Sequence, residues 1–223
     1  MVVSPLLLGH RGARVSNIQE NTFPAFDLAM QSGCDGFEFD ARLSSDGMAV
    51  IAHDPVVDGR EIAKTPAARL GTLPRLDDVL ARYAAHAFLD IELKVPGLGP
   101  PVLAAVHQRM PERCLISSFL PAVLGEVRNL DDSVALGFIC DDAGKLPQWR
   151  ELACEYVIVH QRLASEKLIE SVYQAERKVF VWTVNHSAEM RRLAQAGVDG
   201  IISDDPELLG RTLRPRSEGD RSR

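Results

Sequence analysis

The chain has 223 residues, 46% hydrophobic and 25% charged, proportions of an ordinary folded domain that exclude a largely disordered or fibrous polymer. A net charge of −6, from 31 acidic against 25 basic residues, speaks against general binding to nucleic acid or an anionic membrane, so any bound anion must meet a local basic cluster. Chains of this size bury roughly 70% of their unfolded surface, and α/β barrels of ~200 to 250 residues fold as one domain, so one core suffices.

Residues 1–8 are interrupted by Pro5 and follow no basic region, so no secretory signal is expected. No apolar run approaches the ~18 residues of a spanning helix, and the expectation is a soluble, cytoplasmic protein without stable membrane insertion. From there short apolar runs alternate with amphipathic segments, as in successive β/α units. A strand over 6–10 precedes a helix over 22–32, and a strand over 36–40 is followed by an extended run over 48–53. The stretch between those two, with its turn Ser44-Ser45-Asp46-Gly47, is too short for a crossover helix, so 48–53 reads as a hairpin-like excursion. Residues 55–74 carry Pro55, Gly59, Pro66, Gly71 and Pro74 without a clear period and read as an irregular loop, a short insertion after the second β-segment. The pattern then predicts a helix over 76–85, a strand over 87–94, helix 100–110, strand 115–118, helix 121–129, strand 134–139 and helix 146–153. Strand 156–160, helix 165–176, strand 179–184, helix 188–196, strand 200–203 and helix 206–213 follow. About eight units give a single α/β domain over 1–213, a (β/α)8 TIM barrel, with a doubly wound open sheet as the competing architecture. A disordered polar tail is expected over 214–223. The cysteines, Cys34, Cys114, Cys140 and Cys154, include no C-x-x-C pair and read as reduced, mostly buried and apolar.

Nearly every predicted strand ends in polar groups, and in a TIM barrel the C-terminal strand ends build the active site. Glu38 and Asp40 alternate with Phe37 and Phe39, so strand period two puts both carboxylates on one face, about 6.6 Å apart. Glu92 and Lys94 repeat the device and deliver a third carboxylate and a cation to the same mouth. Three unshielded carboxylates in one cavity would repel and desolvate badly; a hard divalent cation relieves both, and an all-oxygen set favours Mg2+ or Ca2+ over zinc. Alternatively Glu92 and Lys94 form a structural ion pair while Glu38 faces solvent. His10 and His53 lie beside Arg11 and Asp54 on different strands, and imidazoles suit proton transfer in either direction. Together these groups suit phosphoryl chemistry, with Arg11, Lys94 and a metal on phosphate oxygens and the two histidines moving protons. His86, His107 and His186 read as ordinary side chains, and His160, ending a strand, as a candidate pocket residue. No phosphate-binding glycine loop, dinucleotide fingerprint, H-E-x-x-H or G-x-S-x-G occurs.

These residues resemble the glycerophosphodiester phosphodiesterases, relatives of the phosphatidylinositol-specific phospholipases C. The resemblance is carried, in order, by His10-Arg11-Gly12, Glu20-Asn21-Thr22 with Phe23, Gly36-Phe37-Glu38-Phe39-Asp40, His53-Asp54-Pro55, Glu92-Leu93-Lys94, Trp182-Thr183-Val184-Asn185 and Gly197 through Pro206. It implies a TIM barrel that hydrolyses small-molecule glycerophosphodiesters to an alcohol and sn-glycerol 3-phosphate with a divalent metal. By the same resemblance Glu38, Asp40 and Glu92 are the metal ligands, His10 and His53 the general acid and base, and Arg11 and Lys94 the phosphate binders. Glu20 would support the metal or Arg11, although Asn21 or Thr22 beside it could simply cap the next helix. Trp182 would wall the glycerol or alcohol moiety, with Phe119 as its partner. Family members commonly carry a longer insertion after the His-Asp-Pro motif; the short one here predicts a more open mouth and favours small soluble diesters. Two other functions compete: a lysophospholipase D-type activity on lipid diesters, and a barrel that binds phosphodiesters without catalysis. The sequence carries no signal of oligomeric state.

Overall fold

Alternation along each apolar run divides side chains between the inside of a barrel and its helical coat. A computed structural model describes residues 4–214, in which eight parallel strands close into one sheet. They are β1 (Leu6–Gly9), β2 (Gly36–Leu43), β3 (Phe88–Leu93), β4 (Arg113–Ser118), β5 (Leu136–Cys140), β6 (Tyr156–His160), β7 (Lys178–Trp182) and β8 (Gly200–Ser203). Each pairs with the next, and β1 pairs with both β2, at Leu8↔Gly36, and β8, from Leu6↔Gly200 to Gly9↔Ser203. The barrel therefore has no free edge, and the open-sheet alternative does not apply.

Seven α-helices surround it: α1 (Phe23–Gln31), α2 (Leu76–Tyr83), α3 (Gly99–Arg109), α4 (Pro121–Leu130), α5 (Glu166–Gln174), α6 (Ser187–Gln195) and α7 (Pro206–Leu213). The helix expected over 146–153 is instead a 3-10 turn, Leu146–Arg150. Of its five residues only Trp149 is fully buried, with the Arg177 guanidinium 5.3 Å from its ring, and Leu146 packs only partly against the core, too little apolar surface to hold a longer helix.

Outward positions pack against the helices, as where Phe26 of α1 stacks on Phe37 with centroids 4.3 Å apart. Inward positions near the N-terminal ends of the strands form an apolar plug of Leu8, Phe88, Leu115, Ile139, Tyr156, Ile158, Phe180 and Ile202. Gly200 points into this plug, and a Cβ there would lie 2.5 Å from the Phe180 ring. Further along the same inward rows come His10, Glu38, Asp40, Asp90, Glu92, Ser117 and Trp182, so the alternation that fills the plug also delivers the polar groups to the C-terminal mouth.

β2 runs three residues beyond the expected end and turns at Ser44 to Gly47 into an antiparallel arm, Ala49–Ile51, paired from Ala41↔Ile51 to Leu43↔Ala49. The segment expected to be an irregular loop over 55–74 is ordered. Val56–Val57 and Arg60–Glu61 form a hairpin whose turn residues, Asp58 and Gly59, both have positive φ (49° and 73°), the geometry that favours Asp-Gly. Two 3-10 turns follow, Ile62–Lys64 and Ala67–Arg69, and Ile62, Ala67 and Leu70 bury against Val50 and Ala52 as a small separate core.

All four cysteines are unpaired, with Cys34, Cys140 and Cys154 buried. Among the described residues no helix is long and apolar enough to cross a membrane. Arg214, the first residue of the expected tail, grips Asp35 with two hydrogen bonds of 3.1 and 2.7 Å; the rest of that tail, 215–223, lies outside the described residues. Replacing Gly200 by alanine is expected to overfill the plug and cost about 1–3 kcal/mol, read from denaturant unfolding; an unchanged midpoint would contradict the packing described.

Candidate active site

Parallel pairing of β2 with β3 sets Glu38 opposite Asp90 and Asp40 opposite Glu92. All four carboxylates are buried. Glu38, Asp40 and Glu92 each offer an oxygen within 4.8 Å of the others. Lys94 Nζ lies 2.6 Å from Glu92 Oε1 and 3.2 Å from Asp40 Oδ1, so the Glu92–Lys94 pair forms, but Glu38 turns inward beside it and not to solvent.

The segment after β1 wraps this group. Arg11 has φ 51°, a left-handed turn that aims its backbone N–H at Glu38 Oε2 (2.9 Å), while its guanidinium donates to Glu20 Oε1 (2.6 Å) and approaches Asp40 Oδ2 (3.2 Å). Glu20 also pairs with Arg14, so it supports Arg11 and stands apart from the carboxylate trio. Asn21, also left-handed at φ 58°, donates from Nδ2 to Asp40 Oδ2 (2.7 Å) and accepts from the Asp40 N–H at 3.2 Å. It is not a helix cap, and Thr22 precedes α1 without a side-chain capping bond.

Burial, and then the charges of Asp40, Glu92 and Asp90, push Glu38 well above the usual carboxylate range. Burial likewise lifts Glu92 and Asp90, each to about 7. Burial works to raise Asp40 too, but Lys94, Arg11 and Asn21 outweigh it and hold that carboxyl below its ordinary value. Burial works against the charge of Lys94, yet Glu92 and Asp40 keep its pKa above the ordinary lysine value. Glu38 Oε1 and Asp90 Oδ2 are buried without a hydrogen-bond donor, and Asp40 Oδ1, also buried, has the Lys94 ammonium at 3.2 Å but no well-aligned hydrogen bond. Acceptor oxygens converging without donors fit a hard divalent cation, and Glu38, Asp40 and Glu92 are the residues that could hold it.

His10, just past the end of β1, donates from Nδ1 to Asp204 Oδ1 (2.7 Å), leaving Nε2 on the cavity side, 3.9 Å from Glu38 Oε2. Asn185 fixes that aspartate: its Nδ2 donates to Asp204 Oδ2 (2.7 Å) and its Oδ1 accepts from the Asp204 N–H (3.0 Å). Burial would raise Asp204, but its bonds to His10 and Asn185 hold it low. His53 repeats the arrangement at the rim, with Nδ1 2.8 Å from Asp54 Oδ1, and Arg42 donates to its carbonyl from Nε and Nη2 (2.8 and 2.5 Å). Hydrogen bonding from His53 keeps Asp54 below its ordinary value.

Both histidines, Arg11, Glu38, Asp90, Glu92 and Lys94 line one cavity, floored by Ile139, Ile158 and Ile202. Trp182 and Phe119 form its apolar wall, edge to face at 5.4 Å, with Lys94 Nζ 5.7 Å from the Phe119 ring. His160 packs behind Trp182 at 5.4 Å and accepts the Arg162 N–H through Nδ1; it does not line the cavity as expected. Sequence reasoning missed Asp90, Asn21 and the orienting roles of Asp54, Asp204 and Asn185. The one available signal was the period-two series Asp90, Glu92, Lys94.

The chain matches the model of the "Glycerophosphoryl diester phosphodiesterase family" over residues 10–70 and 100–208. It is 32% identical to a glycerophosphodiester phosphodiesterase of Caldanaerobacter subterraneus subsp. tengcongensis, covering 94% of this chain and 98% of that one. Among solved structures, an Oleispira antarctica phosphodiesterase in complex with the product sn-glycerol-3-phosphate superposes with a TM-score of 0.79 at 25% identity, covering 94% and 96% of the two chains. A glycerophosphodiester phosphodiesterase from Parabacteroides distasonis shares the fold with a TM-score of 0.85 at 21% identity, covering 96% and 98%.

Asp90 and Glu92 bear on stability as well as on ligands. Unfolded carboxyls titrate near about 3.9 and 4.3, so between about pH 4 and 7 the folded chain retains protons that the unfolded chain has lost. These two groups therefore oppose folding increasingly as pH rises through that window when no cation is present. Asp90→Asn should raise the melting temperature of chelator-treated protein more at pH 8 than at pH 5; equal gains at both would contradict the burial argument.

Proposed function

The chain belongs to the glycerophosphoryl diester phosphodiesterase family, and from that premise we propose that it hydrolyses glycerophosphodiesters to sn-glycerol 3-phosphate and a free alcohol. In this reading Glu38, Asp40 and Glu92 hold Mg2+ or Ca2+, and His10 and His53 carry the protons. The observation that carries the reading is that Glu38 and Glu92 line one cavity with two imidazoles whose Nδ1 atoms are each engaged by a carboxylate, while Asp40, buried beside them, offers an oxygen within 4.8 Å of both carboxylates. The cation, when bound, supplies positive charge that stabilises negative charge developing on the phosphate oxygens.

The chain's own groups do the rest. Arg11 and Lys94 bring two further positive charges to the phosphate, and neither can turn away, because Glu20, Asp40 and Glu92 hold them. With Nδ1 committed to Asp204 or Asp54, each histidine works through Nε2. One accepts the proton of the attacking hydroxyl as the new P–O bond forms. The other donates a proton to the alcohol oxygen as the old bond breaks. Trp182 and Phe119 offer a flat apolar surface to the carbon skeleton of the glycerol or the alcohol, and the isoleucine floor excludes water from below. The proposed compartment is the cytoplasm, in keeping with four unpaired thiols.

Glycerol 3-phosphate should be released from glycerophosphocholine, glycerophosphoethanolamine and glycerophosphoglycerol with added Mg2+ or Ca2+, and a chelator should stop it. No release from any of the three, with the protein folded and metal present, would defeat the proposal. His53→Ala should lower turnover by at least ~100-fold while leaving the unfolding midpoint unchanged, since the side chain is 36% exposed on the rim. Activity like that of the unsubstituted protein would remove His53 from the proton-transfer pair.

A further inference from the structure

Four carboxylates reach the cavity region, and the trio accounts for only three. Glu20, at its edge, is met by Arg14 as well as Arg11. With all four carboxylates ionised, as a bound cation would keep them, that leaves Lys94 and Arg11 against Glu38, Asp40, Asp90 and Glu92, a formal sum of minus two. Lys94 contacts Glu92 and Asp40, and Arg11 contacts Asp40, so Asp90 alone of the four touches neither a cation nor a backbone donor. Its Oδ1 accepts the Ser117 hydroxyl at 2.6 Å, while Oδ2 is buried, faces no donor, and belongs to a residue lining the cavity. Asp90 is 0% exposed, and an uncompensated charge there is among the costliest things a fold can hold.

Ser117 is itself an inward-facing, fully buried residue on β4, so the chain fixes the orientation of Asp90 with a dedicated hydroxyl. Glu38, its register partner across β2 and β3, also has a buried oxygen without a donor. We infer that Asp90 is a fourth acidic member of the cation centre, a positioning residue that strengthens ion binding through its charge without belonging to the ligand trio. With Asp90 counted, the site's two uncompensated negative charges equal the charge of one divalent ion. Without it the balance falls one short. The inference rests on the cation site of the proposed function.

The test is isothermal titration calorimetry of Mg2+, and separately of Ca2+, into the chelator-stripped full chain, for the unsubstituted protein and for Asp90→Asn and Ser117→Ala. Asp90→Asn keeps the size and the acceptor that meets Ser117 but removes the charge, and should weaken both ions by about ten- to a hundredfold. Ser117→Ala keeps the charge and loses only its orientation, so it should weaken binding by less than Asp90→Asn does. Asp90→Ser, neutral and smaller, gives the same comparison should circular dichroism show that Asp90→Asn does not fold. Affinity within twofold of the unsubstituted protein in the neutral variant would overturn the inference and leave the cation site standing. An unsubstituted protein that binds neither ion would overturn the cation site, and the role of Asp90 with it.

Discussion

Carboxylates buried in the mouth of a closed barrel impose the condition that the surrounding structure meets. Glu38, Asp40, Asp90 and Glu92 are all removed from water, and each must find a donor or a cation close by. Two left-handed residues in one short segment, Arg11 and Asn21, serve this need: one turns a backbone N–H onto Glu38, the other places an amide against Asp40. Such conformations are strained for residues with a side chain, and they stand where the surrounding bonds fix them. Lys94, Arg11 and Ser117 answer the remaining charges in part, and the residual deficit concentrates acceptor oxygens on one region.

Barrel closure is what unites the two halves of the site. His10 lies near the start of the chain and Asp204 near its end, 194 residues apart, yet β8 beside β1 makes them neighbours at 2.7 Å. Asn185, from the segment after β7, completes the support through a third point on the ring. Beyond β2, His53 is held by its sequence neighbour Asp54 and by Arg42, and it is more exposed. The two imidazoles thus differ in exposure: one is set in the wall, the other on the rim.

The sequence announced most of this through periodicity. Two-residue alternation around Glu38, Asp40, Glu92 and Lys94 was enough to set them on one face, because in a strand the side-chain direction is fixed by parity alone. Asp90 obeys the same parity, but it sits one layer deeper, and attention to strand ends passed over it. Local sequence offers Asn21 the role of a helix cap as an alternative, whereas its true partner, Asp40, lies on β2, 19 residues away. The histidine supports were visible as polar residues without assignable partners, since only closure brings them together. Residues 146–153 contain enough apolar residues to suggest a helix, but a helix is retained by the surface it packs on, and there Trp149 alone is fully buried while Leu146 and Leu152 are half-buried.

The hairpin and 3-10 turns after β2 have a consequence beyond the single site. Their apolar residues bury against Val50 and Ala52 in a core of their own, and the antiparallel arm that carries Val50 belongs to no closing pair of the barrel. His53 lies where this annex meets the ring, its carbonyl clasped by Arg42 of β2. The annex can accordingly be lengthened, shortened or exchanged during evolution without unpacking the ring or displacing the acidic centre. Such a division lets natural variation explore the shape of the entrance while the acidic centre stays under separate constraint, with His53 the reactive group that depends on both parts.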